Sequence, residues 1–251
     1  MSRKWKVILV LSLALNLTIP YIIIRAAGYR SNVNYFLDKY LKVTSEYSRR
    51  DRYVKENQSL YSDSSNPRRV VFLGSQVIEN WDMRHYFPDI QALNRGVSGQ
   101  RFSGFPLRFR PDVTKLKPTA VVIEISSYNF RPETSVEEME DYMMSMLDMA
   151  RFNSIKPLPA TIIPLREDGL ESDEYNFGDY AIMDSLALFN NWLKSYCRSN
   201  GIEYIDFNLI LSDSTGYLRN DLSRGPIEPN DAGYEVMARA VNEALIKIMN
   251  R

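Results

Sequence analysis

The chain has 251 residues, enough for one α/β domain and an appendage. Lysine plus arginine equals aspartate plus glutamate, 31 each, so no bulk charge directs it to nucleic acid or to an acidic substrate. One cysteine, Cys197, excludes an intrachain disulfide and a cysteine-rich metal site, and one histidine, His85, narrows the catalysis open to it.

Arg3, Lys4 and Lys6 precede Val7 to Ile24, a run without a charge. At about 1.5 Å per residue the run reaches roughly 27 Å, just enough to cross a bilayer core. Residues 1–6 therefore read as a cytoplasmic basic tail and 7–24 as a transmembrane signal-anchor, with the rest on the extracytoplasmic side. Asn16 and Pro20 weaken the segment, and Arg25 and Arg30 oppose the charge bias. The alternative is a cleaved signal peptide, against which Arg25 stands directly before Ala26-Ala27-Gly28. Residues 25–66 read as a juxtamembrane helical stalk and linker. Phe36, Tyr40, Val43 and Tyr47 recur at helical spacing, and the stripe would pack on the domain or on a sister chain. A specific protein partner for 29–66 is the other reading. Ser62 to Pro67 is a linker.

From Arg68 the pattern alternates. Val70 to Leu73 is a buried strand ended by Gly74, followed by a helix over Ile78 to Arg84. Ile90 to Leu93 is a second strand, and Leu107 to Leu116 a helix interrupted by Pro111. Ala120 to Ile125 is a third strand. Ser135 to Glu138 is a capping box that opens a helix through about Phe152, with Met139, Met143, Met146 and Leu147 on its inner face. Ala160 to Ile163 and Tyr204 to Phe207 are the fourth and fifth strands, with helices over Asp184 to Ser199 and Asp231 to Asn250. Asn200-Gly201 stops the first of these helices. Cys197 falls on a helical apolar pattern and reads as a small buried hydrophobe. The alternation predicts a five-stranded parallel sheet in a three-layer α/β/α sandwich.

Several segments of residues 67–251 resemble, in order, the blocks of the SGNH (GDSL) hydrolases. Phe72-Leu73-Gly74-Ser75-Gln76 stands where the family carries FLGDS, and Asn94-Arg95-Gly96-Val97-Ser98-Gly99-Gln100 is similar to its NRGISGQ block. Val121 to Asn129 takes the place of VVILxGTND, and Ile227 to Tyr234 that of the DGIHPNxxGY block. The resemblance implies a flavodoxin-like sheet and an ester or O-acyl hydrolase fold. It also implies a degenerate catalytic set. The nucleophile position is Gln76, the oxyanion glycine is kept as Gly96, the oxyanion asparagine falls on Tyr128 with Asn129 next to it, the triad aspartate falls on Gly225, and the histidine on Glu228.

The chemistry of these residues agrees with the loss. Acyl transfer by a serine route needs a hydroxyl beside a base. Gln76 is no nucleophile, and a carboxylate at an ordinary pKa of about 4.3 is a poor base for a hydroxyl. Ser75 is one residue out of register, Ser98 reads as a turn former, and Ser126 and Ser127 are further hydroxyls near the site. His85 lies a helix away from the strand end and reads as a surface or capping residue. The spacing of Asp, Glu and His suggests no metal, and no cofactor motif occurs. If the fold is kept, the resemblance implies that Gln76 and Glu228 face each other and hydrogen-bond.

The leading expectation is a membrane-anchored, pseudoenzyme-like binding or scaffolding protein of the cell envelope. Its ligand would be a glycan or envelope polymer, contacted by Ser75, Gln76, Gly96, Tyr128, Asn129 and Glu228. A sealed pocket packed for stability is the bland reading. A GDSL-type esterase or acyl hydrolase with non-standard residues, with Glu228 acting on water, is the third.

Overall fold

A computed structural model describes residues 3–62, 66–171 and 181–250; within the first helix the side chains of 9–11, 13, 14, 17 and 36–47 also lie outside the description. The chain divides into two compact units, Met1–Glu46 and Tyr47–Arg251. The first is carried by helix α1 (Arg3–Ser48), which contains Pro20. Among the described residues no helix is long and apolar enough to cross a membrane, so the expected spanning helix over 7–24 gains no support from the fold. The Phe36, Tyr40, Val43 and Tyr47 stripe falls on side chains outside the description, as do residues 63–65 of the expected linker.

The second unit begins with α2 (Val54–Tyr61), followed by β1 (Arg69–Gly74), the short helices α3 (Gln76–Glu79) and α4 (Met83–Tyr86), and β2 (Gln91–Gly96). It continues with α5 (Phe105–Asp112), β3 (Ala120–Ile123), α6 (Val136–Phe152), β4 (Lys156–Pro159), α7 (Ile182–Ser199), α8 (Phe207–Leu211) and α9 (Asp231–Met249). Residues 54–61, expected in a stalk, therefore belong to the α/β unit.

The four strands are parallel in the order β2-β1-β3-β4. β1 is central, with Leu73 beside Arg95 and Ile123, and Gly74 beside Gly96. Period-2 alternation sorts its side chains onto two faces. Val71, Leu73, Val121 and Ile123 pack with Phe105, Phe109, Met139, Met143, Met146 and Phe189 from α5, α6 and α7. Val70, Phe72, Val122 and Leu158 pack with Ile78, Trp81, Met237 and Val241 on the other side. The methionine stripe of α6 is thus core. Ser135 caps that helix by accepting the Glu138 N–H at 3.0 Å, and Gly201, with φ +64°, follows α7.

The expected fifth strand is absent among the described residues, reduced to a single bridge between Ala160 and Ile205, and the fourth strand lies at Lys156–Pro159 rather than at Ala160 to Ile163. Proline chemistry explains the first difference. At the bridge, Pro159 O accepts from Ile205 N and Thr161 N donates to Ile205 O. The next rung back would need an N–H from residue 159, which proline lacks. The helix expected over Ile78 to Arg84 is two short helices, because Asp82 caps a new start by accepting the Arg84 and His85 N–H groups. Cys197 is fully buried, and burial pushes its thiol up to about 12. The folded chain should therefore resist iodoacetamide at neutral pH; labelling at the rate of a free thiol would contradict this burial.

Candidate functional site

The carboxyl ends of parallel strands are where open α/β sheets place their ligands. Here the turns after β1, β2 and β3 enclose a cavity of about 240 Å³. Ser75 and Gln76 contribute from the first turn, Ser98, Gly99 and Gln100 from the second, Ser126, Tyr128 and Asn129 from the third, and Ile227 closes one side. The cleft is open where Ser98 and Gly99 are exposed, so the bland reading of a sealed pocket gains no support.

Each turn is fixed by local chemistry. Gly74 leaves Ile78 and Glu124 room to close on the turn, because a Cβ there would lie 2.2 Å from Ile78 Cγ1 and 2.6 Å from Glu124 Oε2. Ser75 caps α3, its Oγ accepting the Val77 N–H. Gly96 lets β2 close against α3, since a Cβ would meet the Glu79 backbone nitrogen at 2.1 Å. Asn94 Nδ2 donates to Ile78 O at 2.6 Å, and its Oδ1 accepts the Gly96 N–H at 2.9 Å. The oxyanion donor implied for Gly96 is thus spent inside the fold.

Gln76 is half-buried, and its Oε1 accepts the Ser98 hydroxyl at 2.9 Å. Its Nε2 carries no hydrogen bond among the described residues. Tyr128 follows a turn made by Ser126 Oγ, which accepts the Tyr128 N–H, and the Arg131 guanidinium sits over the Tyr128 ring at 4.1 Å. Asn129 is buried: its Oδ1 accepts the Phe102 N–H at 2.7 Å and its Nδ2 donates to Ser126 O at 3.2 Å.

The expected Gln76–Glu228 bond does not form. Arg224, four residues earlier, pairs with Glu228 (Nε to Oε2, 3.3 Å), and Arg224 N–H donates to Glu228 O. Ser223 and Pro229 bridge across this loop and hold it closed. A local ion pair thus captures the carboxylate ahead of a distant amide. None of Glu228, Gly225 and Gly96 lines the cleft. Glu228 Oε1 is buried without a hydrogen-bond partner among the described residues. His85 is exposed, packed edge-on against Tyr86, and takes no part in the cleft. Among the described residues no group of acidic, histidine or cysteine side chains could hold a metal ion.

Glu124, at the end of β3, is the residue that sequence reasoning passed over. It is 1% exposed, and its two oxygens accept the Ser75 N–H at 2.8 Å and the Ser75 hydroxyl at 3.0 Å. Burial pushes its carboxyl up to about 7, against the two Ser75 bonds, which lower it. The one signal was a charge inside an otherwise apolar strand.

A parallel sheet in this order, with glycine turns at the ends of β1 and β2 and a polar cleft above them, defines the fold class of the SGNH ester hydrolases. The sequence pattern of the GDSL-like Lipase/Acylhydrolase family matches residues 61–236, and the chain belongs to that family. Among solved structures it is similar to a candidate acylhydrolase from Bacteroides fragilis, with 28% identity, a TM-score of 0.69, and coverage of 79% of this chain and 96% of that one. A GDSL-like lipase from Bacteroides thetaiotaomicron shares the fold at 24% identity, with a TM-score of 0.72 over 80% of this chain and 99% of that one. So does a catalytic mutant of an acetylxylan esterase from Geobacillus stearothermophilus, at 15% identity and a TM-score of 0.57, covering 72% and 95%. Comparison with curated proteins finds no match.

Proposed function

We propose that the chain binds a neutral, hydroxyl- and acyl-bearing polymer, such as a glycan of the cell envelope, in the cleft above β1, β2 and β3, without hydrolysing it. The observation that carries this reading is the separation of parts. The cleft is open and polar, yet Gln76 stands where a nucleophile would be, and Glu228 is tied to Arg224 outside it. Hydrolysis needs a hydroxyl, a base and a free oxyanion donor in one place. The Gly96 N–H is spent on Asn94. A polar cleft with one aromatic ring and amide groups suits a sugar, whose faces stack and whose oxygens accept hydrogen bonds. The likeness to an acetylxylan esterase fold points the same way.

The test is a panel of chromogenic acyl esters and of xylo-oligosaccharides, with and without O-acetyl groups, on the full chain. We expect no ester turnover, saturable binding of a sugar, and about tenfold weaker binding in Tyr128→Ala, the size of one lost ring contact. Failure of every sugar to bind would overturn the reading.

A second reading rests on one observation: the Ser75 hydroxyl meets a carboxyl held near neutral pKa. Ester turnover abolished by Ser75→Ala and by Glu124→Gln would install a rebuilt esterase instead. Against it, Ser75 Oγ is committed to the interior on both sides, to Glu124 and to the Val77 N–H.

We further propose attachment to a membrane through 7–24, with the domain on the extracytoplasmic side. The uncharged run and the basic residues before it support this. Release of the full chain from membranes by carbonate washing would count against it.

A further inference from the structure

We infer that Arg52 and Tyr53, which do not line the cleft, are positioning residues for it: with Ser48 and Asn57 they form a strap that holds the cleft loop 96–100 from behind. The inference rests on the reading of the cleft as a ligand site.

Four residues make the strap. Gln100 Nε2 donates to Ser48 O at 3.2 Å. The Tyr53 hydroxyl donates to Gly96 O at 2.5 Å, and its ring lies under the Arg95 guanidinium at 4.6 Å. Asn57 Oδ1 accepts from Arg95 Nε and a terminal nitrogen at 3.0 and 2.8 Å, while its Nδ2 donates to Asp112 at 2.6 Å. Arg52 donates to Glu79 Oε1 at 2.7 Å.

The Arg52–Glu79 contact reaches the ligand side. Glu79 Oε2 accepts the Ser98 N–H at 2.8 Å, and the Ser98 hydroxyl donates to Gln76 Oε1 at 2.9 Å. Arg52, Glu79, Ser98 and Gln76 thus form one relay. Ser98 and Gly99 are exposed at the loop tip, so they have little packing to hold them and depend on these bonds. An exposed ion pair adds little stability by itself. Here it sets a carboxylate whose other oxygen holds the tip. The relay also holds one side chain of the cleft. Gln76 Oε1 accepts the Ser98 hydroxyl, so the relay holds the Gln76 amide at the cleft wall, where its remaining donor and acceptor capacity is open to a ligand.

The strap begins at Ser48, the last residue of α1. A ligand in the cleft therefore bears on the strap as the strap bears on the cleft loop.

Hydrogen exchange read by mass spectrometry on the full chain tests this without any ligand. Arg52→Ala and Tyr53→Phe should each speed exchange of the 97–100 amides by about tenfold and leave β1 and β3 unchanged. Arg52→Lys should restore most of the protection. Equal exchange in the variants and the parent chain overturns the proposal, as does a rise shared equally with β1 and β3, which marks general loss of stability. In the sugar-binding assay, Arg52→Ala should weaken xylo-oligosaccharide binding severalfold at unchanged thermal midpoint. If the exchange changes as expected and no sugar binds even to the parent chain, the reading of the cleft falls while the strap stands.

Discussion

Replacing Arg108 by alanine should lower the unfolding free energy by about 3–5 kcal/mol, a midpoint fall of roughly 10 °C in a domain of this size. Arg108 is 0% exposed on α5, and it pairs with Asp112 at 3.0 Å. It also donates to Gln100 Oε1 at 2.7 Å, Arg95 O at 2.8 Å and Gly74 O at 3.3 Å. It thereby ties the carboxyl ends of β1 and β2 to α5. A buried ion pair is weak evidence for net stability, but removal of one partner strands the other. Asp112, also 0% exposed, would keep only its bond from Asn57. The stranded charge is the main cost, so Asp112→Asn added to Arg108→Ala should recover part of the loss. Urea melts of the three proteins check this, and a single variant within 1 kcal/mol of the parent chain would sink the account.

The second large effect is on pH. Glu124 has an ordinary carboxyl value of 4.5 and is pushed up to about 7 in the folded chain. Below 4.5 both states are protonated and the residue contributes nothing to the pH dependence. Between 4.5 and 7 the folded chain holds a proton that the unfolded chain has lost, so stability falls as pH rises. Above the folded value the cost is complete, about 3 kcal/mol. Glu124→Gln should remove this slope, and at pH 8 it should be the more stable protein by up to about that amount. Its side-chain oxygen can still accept the Ser75 N–H. Unfolding free energies at a series of pH values decide the matter: an unaltered slope in Glu124→Gln would mean that the carboxyl stays ionised when buried.

What the sequence reveals and what it hides divide along physical lines. The β1 strand and its glycine turn are plain, because an apolar β-branched run ending in glycine has few other uses. The α6 stripe and its cap are plain for the same reason: period and end chemistry agree. Glu124 is hidden, since one charge inside Ala120 to Ile125 leaves the strand pattern intact while its side chain turns back under Ser75. The membership of α2 is hidden more deeply. Val54–Tyr61 is held through Asn57, Tyr61 and the buried guanidinium of Arg95, by hydrogen bonds that carry no period. The pairing of Gln76 with Glu228, argued from the family's geometry, misses the competition from Arg224 within one turn of chain. Framework positions survive substitution of the chemistry they once served, so the fold is easier to read than the site.

The two prolines of β4 have a consequence beyond the local ladder. An exposed sheet border is normally a hazard, because any extended segment of another molecule can add to it. Pro157 and Pro159 sit where their nitrogens face away from β3, and neither can donate to an incoming strand. The segment at Ile205 covers one end of that border, where Pro159 O accepts its N–H, and the rungs at Pro157 and Pro159 have no donor to offer. Neighbouring copies at high concentration therefore find no run of donors along it on which to template.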